Sequence, residues 1–199
     1  MEQEKTGSFS DYIREQFSHL VSEVREERGD VIVTTTAEHS KLLLESCKID
    51  DHLRFGMLVD LTAVDWMDDR SARFEVVYQL LSIENKRRLT VSVPLSEDSP
   101  ALDSVVELWQ GANFMEREVW DMFGITFQGH PDLRRVLLYD EFVGHPLRKD
   151  YPIQGKQPRV PLRHPEVENT ARNMHRPELV TIRSRKSGEA KEATSAEVN

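Results

Sequence analysis

The chain has 199 residues, of which 38% are hydrophobic and 31% charged, with a formal net charge of −9. That size suits one domain plus an extension, and the acidic balance argues against general nucleic-acid binding, which needs a basic footprint. No apolar run approaches the ~20 residues that span a bilayer, the polar N-terminus lacks a secretory signal, and the single Cys47 excludes a disulfide framework or an iron–sulfur cluster held by this chain alone.

Phe9, Tyr12, Ile13, Phe17, Leu20, Val21 and Val24 recur at helical spacing ahead of Gly29, which predicts an amphipathic helix stopped by that glycine. The β-branched run Val31–Thr35 predicts a strand. Thr36 is the predicted N-cap of a second helix that runs through Cys47 and carries Leu42, Leu43 and Leu44 inward. Strands are predicted over Met57–Val64, Phe74–Ile83 and Arg88–Val93. The last two should form an antiparallel hairpin, because Glu84–Lys86 is too short for a crossover. Ser99-Pro100 reads as an N-cap and first helical position, with Leu102, Val105, Val106 and Trp109 on one face before Gly111. A further helix is predicted from Asn113 to Gly124.

This order predicts an α+β fold: a mixed or antiparallel sheet with helices packed on one side, within a core domain over 1–128. Beyond Gly129 the character changes. Pro131, Pro146, Pro152, Pro158, Pro161, Pro165 and Pro177 break any long element, so 129–183 should be a long extended, Pro-rich arm. Seven Lys/Arg against three acids between Gly144 and Arg176 leave this stretch at +4 and the rest of the chain at −13. A basic arm on an acidic body suggests a protein contact, with its own body or with a neighbour. The tail 184–199 has almost nothing to bury and should be disordered.

Candidate chemistry concentrates in Phe114–Gly124. Arg117 and Asp121 lie one helical turn apart and should pair. Glu118 and Asp121 share a neighbouring stripe that Arg134 or Arg135 should reach. Glu116 and Glu118 are a conceivable acid–base pair, but no nucleophile, metal cluster or phosphate loop accompanies them, so an ion-pair network is the stronger reading. The dipeptides His130-Pro131, His145-Pro146 and His164-Pro165 are too widely spaced for a metal site and read as turns. Trp66, Trp109 and Trp120 read as core residues, and Asp60 and Asp65 as solvated acids at a strand end.

Two motifs then sharpen the function. Glu116-Arg-Glu-Val-Trp-Asp121-Met-Phe, followed after six residues by His130 and after three more by Arg134-Arg-Val-Leu137, resembles the signature of the complex I C-subunit family. Gly144-His-Pro-Leu-Arg-Lys-Asp-Tyr-Pro152 resembles the closing motif of the same family. The resemblance implies a non-catalytic subunit of the peripheral arm of a proton-translocating NADH:quinone oxidoreductase. Its implied partners are the D subunit foremost, with B and I nearby, and it sits on the cytoplasmic face of the bacterial plasma membrane. It implies no cofactor in this chain, with FMN and iron–sulfur clusters in partner subunits. Glu116, Arg117, Glu118, Asp121, His130, Arg134, Arg135, His145, Arg148, Lys149, Asp150 and Tyr151 are the implied structural or interfacial residues, and the arm is expected to be mobile until docked. The related subunit of membrane-bound nickel–iron hydrogenases or F420-linked dehydrogenases is the nearest alternative. A free-standing acid–base enzyme and a generic adaptor are further ones.

Overall fold

Phe74, Val76, Tyr78 and Leu80 alternate with half-buried Glu75, Val77, Gln79 and Leu81, and such strict period-two burial belongs to a sheet covered on one face. The computed structural model describes residues 8–158. In chain order, these hold α1 (Phe9–Gln16), β1 (Glu23–Glu27), β2 (Asp30–Thr34), α2 (Ala37–Ile49), β3 (Met57–Asp65), β4 (Phe74–Ser82), β5 (Arg87–Leu95), β6 (Ala101–Asp103), α3 (Ala112–Phe123) and β7 (Thr126–Gln128). Five strands form a mixed sheet in the order β1-β2-β5-β4-β3, with only β2 and β5 parallel. The predicted β4–β5 hairpin is present, with Leu80 opposite Leu89 and Ser82 opposite Arg87.

Ile13 and Phe17 from the first helical region, Leu43, Leu44 and Cys47 from α2, and Val119, Met122 and Phe123 from α3 join the inward sheet residues in one core. Helices on one side of a mixed sheet are what the element order predicts. Two of the three α2 leucines point inward as expected, while Leu42 is half exposed. Burial pushes the Cys47 thiol up to about 12, so it is a packing residue. No helix among the described residues is long and apolar enough to cross a membrane.

Two predicted helices end differently. The first stops at Gln16, and Ser22 N–H already donates to the Thr34 carbonyl (2.8 Å) at the start of β1. Gly29 does not stop a helix. With Arg28 (φ 54°) it makes the two-residue link between β1 and β2, where both central residues need positive φ. The helix expected after Ser99-Pro100 is absent. Instead β6 lies parallel to β7, and Ser104 N–H donates to the Gln128 carbonyl (2.8 Å), a bond a helix at this position would forgo. Leu102, Val105 and Trp109 are buried all the same, because their pattern serves the core in either conformation.

Tyr78 is fully buried, and its hydroxyl has no hydrogen-bond partner among the described residues. An orphaned buried hydroxyl costs about 1–3 kcal/mol. Tyr78→Phe is therefore expected to leave stability unchanged or raise it by about 1 kcal/mol, read from the midpoint of urea unfolding. A clear loss would mean that a buried water bridges the hydroxyl to a neighbour.

Candidate functional site

Helix α3 has a period of buried positions that carries charge inward as well as carbon: Glu116 and Asp121 are both fully inaccessible, and Arg117 nearly so. Gly124 ends it in the left-handed conformation, its N–H returning to the Trp120 carbonyl at 2.8 Å. The chain then makes β7 and folds back, so that residues 130–151 lie against the helix they follow. Residues 129–158 contain no further helix or strand.

Asp121 organises this return. Its Oδ1 accepts from Arg135 Nη1 at 2.5 Å, and its Oδ2 accepts the backbone N–H groups of Val136, Leu137 and Leu138 at 3.1, 3.0 and 3.0 Å. Burial by itself would raise this carboxyl. The three N–H donors and the Arg135 guanidinium outweigh it and hold the group below the usual range. Arg117 does not pair with Asp121, as its helical spacing suggested. Its Nε and Nη2 donate to the carbonyls of Arg134 and Arg135, both at 3.0 Å. Arg135 takes the acid because it also satisfies the Phe142 and Gly144 carbonyls at 2.9 and 3.1 Å. Arg134 is exposed and pairs with Asp132 at 2.9 Å.

Glu116 and Glu118 do not converge. Glu118 is exposed, whereas Glu116 accepts from Ser104 Oγ and Val105 N–H, both at 2.7 Å, and so ties α3 to the segment after β6. Burial pushes the Glu116 carboxyl above its usual range, and these two donors offset only part of that. The folded state then binds the Glu116 proton more tightly than the unfolded chain does. Stability from this group should fall as pH rises from the unfolded value, near 4.5, through the folded one. Glu116→Gln keeps one acceptor for Val105 and offers a donor to Ser104. It should remove that fall, so that urea midpoints of variant and parent diverge in the variant's favour as pH rises above 4.5. A parallel pair of pH profiles would reject this account.

The histidines are turn residues. Asp132 N–H donates to His130 Nδ1 at 3.0 Å, which leaves Nε2–H to donate to the Asn113 carbonyl at 3.2 Å. His145 Nδ1–H donates to the Asp121 carbonyl at 3.0 Å, edge-on to Trp120. Burial, with Arg148 and Arg135 nearby, holds His145 below its ordinary value. His164 lies outside the described residues. Among the described residues, no three His, Cys, Asp or Glu side chains converge as metal ligands.

The second motif is fastened one residue after another. Leu147 N–H donates to the Met122 carbonyl at 3.1 Å, and Arg148 Nε donates to the Phe123 carbonyl. Lys149 N–H donates to Asp65 Oδ2 at 2.8 Å, and Asp150 pairs with Arg73 at 2.9 Å. The Lys149 side chain is exposed, and Tyr151 stacks on Phe142.

Asp65 and Arg73 went unnoticed as a pair in the sequence. Asp60 is a solvated acid as expected, but Asp65 is buried, its two oxygens forked by Arg73 Nε and Nη2 at 3.2 Å each. Burial would raise Asp65, but Arg73 and the N–H groups of Lys149 and Met67 prevail and lower it. Trp109 is a core residue. Trp66 and Trp120 are only half-buried, Trp66 donating through Nε1 to Glu75 at 2.6 Å beneath the Arg70 guanidinium.

A family model described as respiratory-chain NADH dehydrogenase, 30 Kd subunit, matches residues 33–157. The C subunit of the NADH-quinone oxidoreductase of Citrifermentans bemidjiense is 47% identical over 144 residues, which cover 72% of this chain and 87% of that protein. Among solved structures, a trypsin-resistant fragment of Nqo5 is 34% identical, with a TM-score of 0.54 over 62% of this chain and 98% of its own. A chain from the membrane-bound sulfane sulfur reductase, an archaeal respiratory membrane complex, reaches a TM-score of 0.63 at 24% identity. It covers 87% of this chain and 95% of its own, a likeness of fold alone.

Proposed function

Because the chain belongs to the family of the 30 kDa subunit of respiratory-chain NADH dehydrogenase, we propose that it is a non-catalytic docking subunit in the peripheral arm of a proton-translocating NADH:quinone oxidoreductase. It binds the D subunit foremost and lies near B and I, on the cytoplasmic side of the membrane. The flavin and iron–sulfur clusters that carry electrons from NADH to quinone belong to other subunits of the complex, and this chain helps hold the quinone-reducing module together.

One observation carries this reading. The charged residues buried under the two motifs are consumed inside the chain, while the same stretch turns Leu137, Val143, Leu147 and Ile153 outward, each more than half exposed. A carboxylate whose acceptor sites are filled by Arg135 and three backbone N–H groups is a structural fixture, and solvent-facing aliphatic side chains at this density ask to be covered. Glu116 has no access to solvent and Glu118 faces away from it, so the two present no common site for acid–base chemistry.

Affinity purification of the tagged native protein in mild detergent, with mass spectrometry and metal analysis, tests this. Recovery of B-, D- and I-type subunits with iron, without nickel, and with NADH:quinone activity is expected. Nickel with a hydrogenase large subunit would reassign the parent complex. A lone, metal-free chain would overturn the proposal.

A further inference from the structure

Arg73 stands immediately before β4, and its side chain is only 9% exposed. It is an unusual place for a long cation, and three separate segments supply its partners: Asp65 at the end of the preceding strand β3, Glu97 after β5, and Asp150 in the second motif. Asp65 divides its own oxygens between this guanidinium and Lys149 N–H at 2.8 Å. The Asp65–Arg73 pair thus offers the returning chain both an acceptor for a backbone donor and a donor for a carboxylate. The face of Phe74 adds a second contact, with the guanidinium carbon of Arg73 at 5.0 Å and that of Arg148 at 5.2 Å from the ring centre. From the other side, the His145 ring, the Leu147 N–H and the Arg148 side chain hold the carbonyls at the end of α3.

We infer that residues 144–151 are a strap already closed on their own domain in the free protein, with Arg73 as its clasp, so that the chain meets its partners as a preformed body and does not order this stretch on docking. Five residues of the strap, His145 and Leu147 to Asp150, each have a specified partner on α3 or at the β3–β4 end, a density of bonds that a merely tethered segment does not have. This replaces the expectation that the whole arm is mobile until docked, for residues 144–151 of it. Closing beforehand removes the ordering cost from association and fixes the direction in which Leu147 points. The use of the closed strap rests on the docking function proposed above. The closure itself does not.

Hydrogen exchange measured by mass spectrometry on the isolated full-length chain tests the inference. The amides of 147–151 are expected to exchange far more slowly than in an unstructured peptide. Asp150→Asn leaves the Asp65–Arg73 pair in place and removes only the strap's own carboxylate. It should speed exchange in 147–151 about three- to tenfold and leave α3 unchanged. Arg73→Gln should do the same more strongly, and should also loosen Asp65. Unprotected amides over 147–151 in the parent protein, or equal protection in all three proteins, would overturn the clasp. If the strap is protected but no partners co-purify with the native protein, the docking function fails while the closed strap stands.

Discussion

Asp121→Asn is expected to cost about 3–5 kcal/mol of folding stability at neutral pH, a large share of the roughly 5–15 kcal/mol that a domain has. The carboxylate offers acceptors in two directions, one to Arg135 and one to three successive backbone N–H groups. An amide keeps an acceptor in only one of them and turns an N–H donor toward whichever partner remains. If the oxygen stays with Val136, Leu137 and Leu138, an Arg135 side chain that is 11% exposed loses its counter-charge. If it turns to Arg135, three part-buried backbone N–H groups lose their acceptor together. The stabilisation comes from a carboxyl held below its usual range. It is therefore fully present above the unfolded value near 3.8 and is lost as pH falls through the folded one. The gap between parent and variant should accordingly be widest at neutral pH and close in acid. Urea midpoints at several pH values read both the size and the direction. A loss below about 1 kcal/mol would mean that water replaces the acceptor, and that the return of the chain is looser than its hydrogen bonds imply.

The parts of the fold that local pattern determines were legible in the sequence. Helix α3 could be placed to within a residue because its apolar period is strong and Gly124 can adopt the left-handed cap. The β4–β5 hairpin was legible because two alternating strands flank a link too short for anything else. The stretch 99–109 was not legible. Its residues suit a helix or a strand, and the choice falls to Gln128 and Glu116, whose oxygens take the N–H groups of Ser104 and Val105. The motif at Glu116–Leu137 identified the family without assigning the bonds. The sequence offered Asp121 both Arg117, one helical turn away, and Arg134 or Arg135 from the returning chain, and nothing local chooses Arg135 among them. Arg73 left no trace at all, since a single arginine ahead of a strand has no local signature and its partners come from positions 65, 97 and 150.

Gly124→Ala should be the most damaging substitution of a single hydrogen by a methyl group along this return. Gly124 has a φ of 77°, where an L side chain costs about 1–2 kcal/mol. A Cβ there would also lie 2.6 Å from Arg148 Nη2 and 2.7 Å from both Cδ2 and Nε2 of His145. Those two side chains cannot simply swing aside, because His145 is bonded to the Asp121 carbonyl and Arg148 to the Phe123 carbonyl. Overpacking of this kind adds about 1–3 kcal/mol. Gly129 provides the control. Its φ of 76° imposes the same backbone strain, yet a Cβ there would meet nothing within 4 Å. Gly129→Ala should therefore lose about 1–2 kcal/mol and leave hydrogen exchange over 144–151 unchanged. Gly124→Ala should lose about 2–5 kcal/mol and raise exchange in that stretch selectively. If the two variants lose the same amount, only the backbone is strained at Gly124, and the strap does not press on the helix end. A larger and localised effect at Gly124 would mean that the C-terminus of α3 has glycine because the second motif closes over it, joining the two motifs in a single unit.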